Sequence, residues 1–90
     1  MPKYQIKLRT NSAEKNWYSL CQDIPEAMER CREFLEETPE DRLHSGGKLK
    51  KLKGKLDGIL QYDITDKARI QYWIDRVQRI VYVEYVGYHP

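Results

Sequence analysis

The chain is poor in the residues that staple, hinge or metallate a small protein. Among its 90 residues are two cysteines, two histidines, four prolines and five glycines. Cys21 and Cys31 are too few for a disulfide framework and lack metal-ligand spacing, so a reduced, cytoplasmic protein is expected. No H-E-x-x-H or C-x-x-C occurs, so neither a metal nor another cofactor is expected. Gly46-Gly47 precedes no G-K-[ST], which removes the nucleotide-phosphate loop. Two histidines argue against a Ser-His-Asp constellation. No apolar run approaches the roughly 18 residues of a membrane span. Met1 to Gln5 holds no apolar signal segment, so no membrane partner is expected. The length suits one domain, 1–90, burying roughly 60–65% of its unfolded surface, and excludes a large enzyme with its own cofactor domain.

What is present is charge and apolar pattern. Hydrophobic residues make up 40% of the chain and the net charge is only +2, which argues against disorder. The charge is divided unevenly. Residues 1–45 hold seven Lys/Arg and nine Asp/Glu, and residues 46–90 hold nine Lys/Arg and five Asp/Glu. An acidic half and a basic half point to two functional surfaces.

Periodicity then divides the chain into elements. Residues 4–9 alternate with period two, predicting a strand with Tyr4, Ile6 and Leu8 on one face. Asn11 or Ser12 opens a helix, with Asn11 and Glu14 spaced as a capping box. Asp23-Ile24-Pro25-Glu26 is a second start, with Asp23 as the cap and Pro25 in the first turn. Ala27, Met28, Cys31, Phe34 and Leu35 form the apolar stripe of that second helix. Pro39 should stop it near Thr38. The two helices should form an antiparallel hairpin. Residues 39–47 read as a loop, 59–64 and 68–74 as strands, and 79–86 as the most strand-prone stretch. Strict alternation sets Val81, Val83 and Tyr85 against Ile80, Tyr82 and Val86, so this last strand should lie inside the sheet. The fold class is α+β: an N-terminal strand, a helical hairpin and a three- to four-stranded, mainly antiparallel sheet with one face uncovered.

Three groups of residues could carry chemistry. Five lysines (Lys48, Lys50, Lys51, Lys53 and Lys55) lie among Leu49, Leu52 and Leu56. Lysines of this kind either blunt a sheet edge or grip a phosphate backbone. Arg69 sits between Ala68 and Ile70 on a strand. It is either a surface arginine paired with Asp63 or Glu84 across the sheet, or a rigidly held donor for a phosphate. His89 follows the most strand-like segment and is either a mobile terminal group or a proton-transfer residue. Trp73 and Tyr88 are the aromatics expected to be exposed for stacking on a base. Trp17 and the other ring-bearing strand residues, Tyr62, Tyr72 and Tyr82, read as core.

The order of elements, with Leu52-Lys53-Gly54-Lys55-Leu56-Asp57-Gly58-Ile59-Leu60-Gln61-Tyr62, Ala68-Arg69-Ile70-Gln71-Tyr72 and Val83-Glu84-Tyr85-Val86-Gly87-Tyr88-His89, resembles the RelE/ParE superfamily of bacterial type II toxins. The family pattern runs L-K-G-x-L-x-G-x-W-x-Y, then Y-R-[IV]-x-Y, then a valine-rich strand ending near Gly and often His. The resemblance implies a toxin that cuts messenger RNA, typically on the ribosome, without a metal. A ParE-like inhibitor of DNA gyrase, or a catalytically degenerate member, is the alternative. It further implies a cognate antitoxin, with a homodimer or a toxin–antitoxin heterotetramer as the assembly. By the same resemblance Arg69 stabilises the transferring phosphate, His89 or Tyr88 supplies proton transfer, and the lysines, with Trp73, hold RNA. Two positions depart from the pattern: Asp63 stands where many members have arginine, and Leu60 replaces a frequent tryptophan.

Overall fold

The alternating and helical stretches become seven elements in a computed structural model, which describes residues 3–54 and 58–88. They are β1 (Gln5–Leu8), α1 (Asn11–Asp23), α2 (Pro25–Glu37), β2 (Leu49–Lys51), β3 (Leu60–Asp63), β4 (Ala68–Asp75) and β5 (Ile80–Tyr88). One sheet holds all five strands in the order β1-β5-β4-β3-β2. β1 lies parallel to β5, and every other pairing is antiparallel. The α+β class is therefore as expected. The sheet is wider than three or four strands because the N-terminal strand returns to pair with β5 and the lysine-rich segment contributes β2.

Local chemistry sets the helix ends, one residue away from the expected caps. Thr10, not Asn11, caps α1, its hydroxyl accepting from the Ala13 amide at 2.9 Å. Asp23 does not cap α2 but ends α1; Ile24 takes the cap position with no side-chain bond. Pro25 at the first position has no N–H to satisfy, which lowers the demand for a cap there. α2 stops at Glu37 and the Thr38 amide closes onto the Phe34 carbonyl at 2.8 Å, as the following proline requires.

Both helices lie on one face of the sheet. The stripe Ala27, Met28, Cys31, Phe34 and Leu35 is buried against Tyr62, Ile70, Tyr72, Val81 and Val83. Phe34 stacks on Tyr62 with ring centroids 4.8 Å apart. Tyr72 is fully buried and donates its hydroxyl to the Pro39 carbonyl at 2.5 Å. Burial holds the Cys31 thiol and the Tyr72 phenol well above their ordinary pKa values, and raises Tyr62 too.

β5 corrects the strict alternation. Gln71 pairs with Tyr85 but Tyr72 pairs with Val83, so Glu84 is an extra residue, a bulge. The bulge resets the pleat. Val86 joins Val81 and Val83 against the helices, whereas Tyr85 turns to the other face. β5 lies between β1 and β4, inside the sheet as expected.

Candidate functional site

The face without helices collects the residues that alternate with the core. Arg69, Gln71 and Trp73 come from β4, Gln61 and Asp63 from β3, Lys50 from β2, and Tyr82 and Tyr85 from β5. Each shares that face through cross-strand pairing. Ala68 and Ile70, the neighbours of Arg69, are completely buried on the opposite side, so the guanidinium does not lie beneath the helices.

Arg69 faces the Tyr85 ring, its guanidinium carbon 5.8 Å from the ring centroid. Its Nε is buried and has no hydrogen-bond partner among the described residues. Opposite it in the ladder stands Gly87, which carries no side chain. A Cβ at Gly87 would come within 3.2 Å of the Tyr85 hydroxyl and 3.3 Å of Asn16 Nδ2. Tyr85 donates its hydroxyl to the Tyr88 carbonyl at 2.9 Å, and Asn16 donates to the Val86 carbonyl at 2.9 Å. The end of β5 is thus braced by its own Tyr85 and tied to α1 by Asn16.

Two carboxylates could have neutralised Arg69, and neither does. Asp63 is the cross-strand partner of Arg69. Its two oxygens instead meet Gln61 Nε2 at 3.1 Å and Lys50 Nζ at 3.1 Å. Gln61 accepts in turn from Gln71 Nε2 at 3.1 Å. Glu84 accepts from the Trp73 indole at 2.7 Å and pairs with Arg9 at 3.5 Å. The bland reading of Arg69 as one half of a cross-strand ion pair therefore fails. What remains is a cation on the helix-free face with no carboxylate partner among the described residues, a group of the type that suits an oxyanion.

The other expected residues are dispersed. Neighbouring residues of a strand point to opposite faces, so the lysines share no single surface. Lys50 joins Asp63 on the helix-free face. Lys51 lines a cavity of about 360 Å³ at the sheet edge with Leu49, Leu60 and Ile74. Lys48 lies 5.9 Å from the centroid of Tyr62, on the helix-covered side, and Lys53 is exposed. Trp73 is half-buried rather than free, one ring face stacked on Tyr82 at 4.3 Å. Tyr88 is exposed, but it pairs with Ala68 and so belongs to the helix side, where its hydroxyl donates to Asp23 at 3.3 Å. Partial desolvation and then the Asp23 charge raise its pKa. His89 and Lys55 lie outside the described residues.

Sequence reasoning missed Tyr85, which the bulge turns toward Arg69. The one local signal was the charged Glu84 within an otherwise apolar run. Among the described residues no cluster of three or more His, Cys, Asp or Glu is placed to hold a metal. Neither helix there is long and apolar enough to cross a membrane.

No family sequence model and no curated protein sequence matches the chain. Solved structures do. The YoeB–YefM complex from Staphylococcus aureus contains a chain 22% identical, with a TM-score of 0.69, covering 97% of this chain and 98% of that one. The toxin–antitoxin complex RelBE2 from Mycobacterium tuberculosis contains one 21% identical, with a TM-score of 0.60, covering 99% and 100%. YafQ from E. coli is 13% identical, with a TM-score of 0.67, covering 96% and 93%. The sheet order, the one-sided helical hairpin and the near-complete mutual coverage give this chain the fold of the RelE/ParE toxin superfamily.

Proposed function

We propose that the protein is the toxin of a type II toxin–antitoxin pair and an endoribonuclease that cuts messenger RNA, on the ribosome, in the cytoplasm. It acts as one domain, without a cofactor or metal, and a cognate antitoxin neutralises it. The observation that carries the reading is Arg69: a guanidinium on the helix-free face, with no hydrogen-bond partner for its Nε among the described residues and both nearby carboxylates committed elsewhere. The similar structures include a heterotetrameric YoeB–YefM toxin–antitoxin complex from Staphylococcus aureus, which supports an antitoxin partner, and a YoeB dimer from the same organism, so both a heterotetramer and a homodimer have a precedent among them.

The chemistry requires little beyond placed charge. The RNA 2′-hydroxyl attacks the adjacent phosphorus, the bond from phosphorus to the 5′-oxygen breaks, and a 2′,3′-cyclic phosphate and a 5′-hydroxyl result. One proton leaves the 2′-hydroxyl and one reaches the departing oxygen. Arg69 stabilises the charge that grows on the phosphoryl oxygens, a contribution of about 10²–10³-fold for one placed donor. His89 moves the proton, worth about 10²–10⁴-fold. Tyr88, next to it in the chain, donates its hydroxyl to Asp23. Lys50 and Lys53 attract the backbone, and Trp73 with Tyr82 offers an aromatic ledge on the same face.

A second reading is a ParE-like toxin that blocks DNA gyrase by binding. It is favoured by the mutual pairing of Lys50 with Asp63 and Arg9 with Glu84, which leaves part of the face near neutral. Translation with purified protein separates the two. Defined messenger cleavage that disappears in Arg69→Ala and His89→Ala supports the nuclease. Intact messenger with blocked DNA supercoiling supports the gyrase reading, and inactivity in both with retained antitoxin binding marks a degenerate toxin.

A further inference from the structure

Asp63 is a hazard to the arginine it faces. Directly opposed residues of an antiparallel pair hold their Cβ atoms about 4.5–5.5 Å apart, and opposite charges placed there attract. Asp63 and Arg69 are such a pair, yet the carboxylate is turned toward β2, onto Lys50 and Gln61. The direction of Gln61 is itself set. Its oxygen accepts from Gln71, so its amide nitrogen is the end that meets Asp63, and the side chain is only 7% exposed. Both oxygens of Asp63 are therefore engaged by groups other than Arg69, one by Lys50 of β2 and one by Gln61 of its own strand.

We propose that Lys50 and Gln61 are positioning residues that hold the Asp63 carboxylate off Arg69 and so keep its guanidinium available for a phosphate. The proposal rests on the nuclease reading only in taking an RNA phosphodiester as the anion. With Lys50 removed, a cation still stands directly across the ladder from Asp63, and the guanidinium fork of Arg69 donates readily to a carboxylate. A tethered carboxylate then competes with the phosphate.

The test is a cycle of Lys50→Met and Asp63→Asn, with Lys50→Arg and Lys51→Met beside it. Inorganic phosphate at constant ionic strength is titrated against the Arg69 Nε–Hε resonance of the full chain. An exposed pair of this kind is worth up to about fivefold in affinity. Lys50→Met should weaken phosphate binding about three- to fivefold, and Lys50→Arg should stay near wild type. In the Asp63→Asn background the loss from Lys50→Met should shrink to less than about twofold, the part that the lysine's own charge contributes. Lys51→Met removes the same charge from the opposite face and should have little effect. Lys50 is exposed, so its replacement leaves the core intact. Equal losses from Lys50→Met with and without Asp63 would mean that Lys50 acts only through its own charge, and would overturn the proposal. RNA cleavage is measured on the same set. A cycle that behaves as expected in a protein that cuts no RNA refutes the nuclease and leaves the positioning role standing. A cycle that is additive in a protein that cuts RNA refutes the positioning role alone.

Discussion

Replacing Arg69 with methionine should separate a residue kept for chemistry from one kept for stability. Methionine retains a flexible apolar stem and removes the guanidinium. The wild-type cost is legible in the structure: the Nε is shielded from water without a partner among the described residues. Leaving a buried donor unsatisfied costs about 1–3 kcal/mol. The contact with the Tyr85 ring, at 5.8 Å, returns about 0.5–1 kcal/mol. The difference, about 0–2.5 kcal/mol, favours the variant. For a domain of this length each 1 kcal/mol moves the melting temperature by about 4–8 °C. Urea unfolding of Arg69→Met should therefore show stability equal to or above that of wild type. Messenger cleavage should fall about 10²–10³-fold, the value of one placed oxyanion donor. A loss of more than about 1.5 kcal/mol in stability would sink the reasoning, because it would make the arginine a structural part of the sheet.

Other outcomes follow from the same contacts. Tyr72→Phe leaves the Pro39 carbonyl unsatisfied inside the core and should cost about 1–3 kcal/mol by urea unfolding, with messenger cleavage unchanged. Thr10→Ala removes the cap of α1 and should cost about 0.5–2 kcal/mol, read as a lower unfolding midpoint. Burial raises the folded pKa of Cys31, Tyr62 and Tyr72, so the unfolded chain loses these protons first. Their contribution is complete below about pH 8.5, where the unfolded thiol begins to ionise, and stability should decline as pH rises toward the folded values. Urea midpoints at pH 8 and pH 10.5 check this, and a flat profile refutes it. Gly87→Ala should push aside the Tyr85 hydroxyl and Asn16, shifting the Arg69 Nε–Hε resonance even in the absence of phosphate.

Features set by neighbours in the chain were legible without coordinates. The helix stripe from Ala27 to Leu35, the stop before Pro39, the alternation around Arg69 and the succession of one strand, two helices and further strands all depend on spacing within a few residues, where backbone geometry dictates which side chains share a face, whereas the short strand β2 among the lysines was not read. The location of Arg69 opposite Ala68 and Ile70 followed from the same rule. Helix caps moved by one residue, because Thr10 and Asn11 are both competent and the choice rests on how β1 enters the helix. The parallel return of β1 onto β5, the bulge at Glu84 that turns Tyr85 toward Arg69, and the commitment of Asp63 to Lys50 were decided by register between distant strands. A shift of one residue in that register exchanges the two faces of a strand. For that reason the sequence by itself determined that Arg69 would oppose Ala68 and Ile70 on its strand, and only the tertiary structure decided which of the candidate residues share its face and which carboxylates turn away from it.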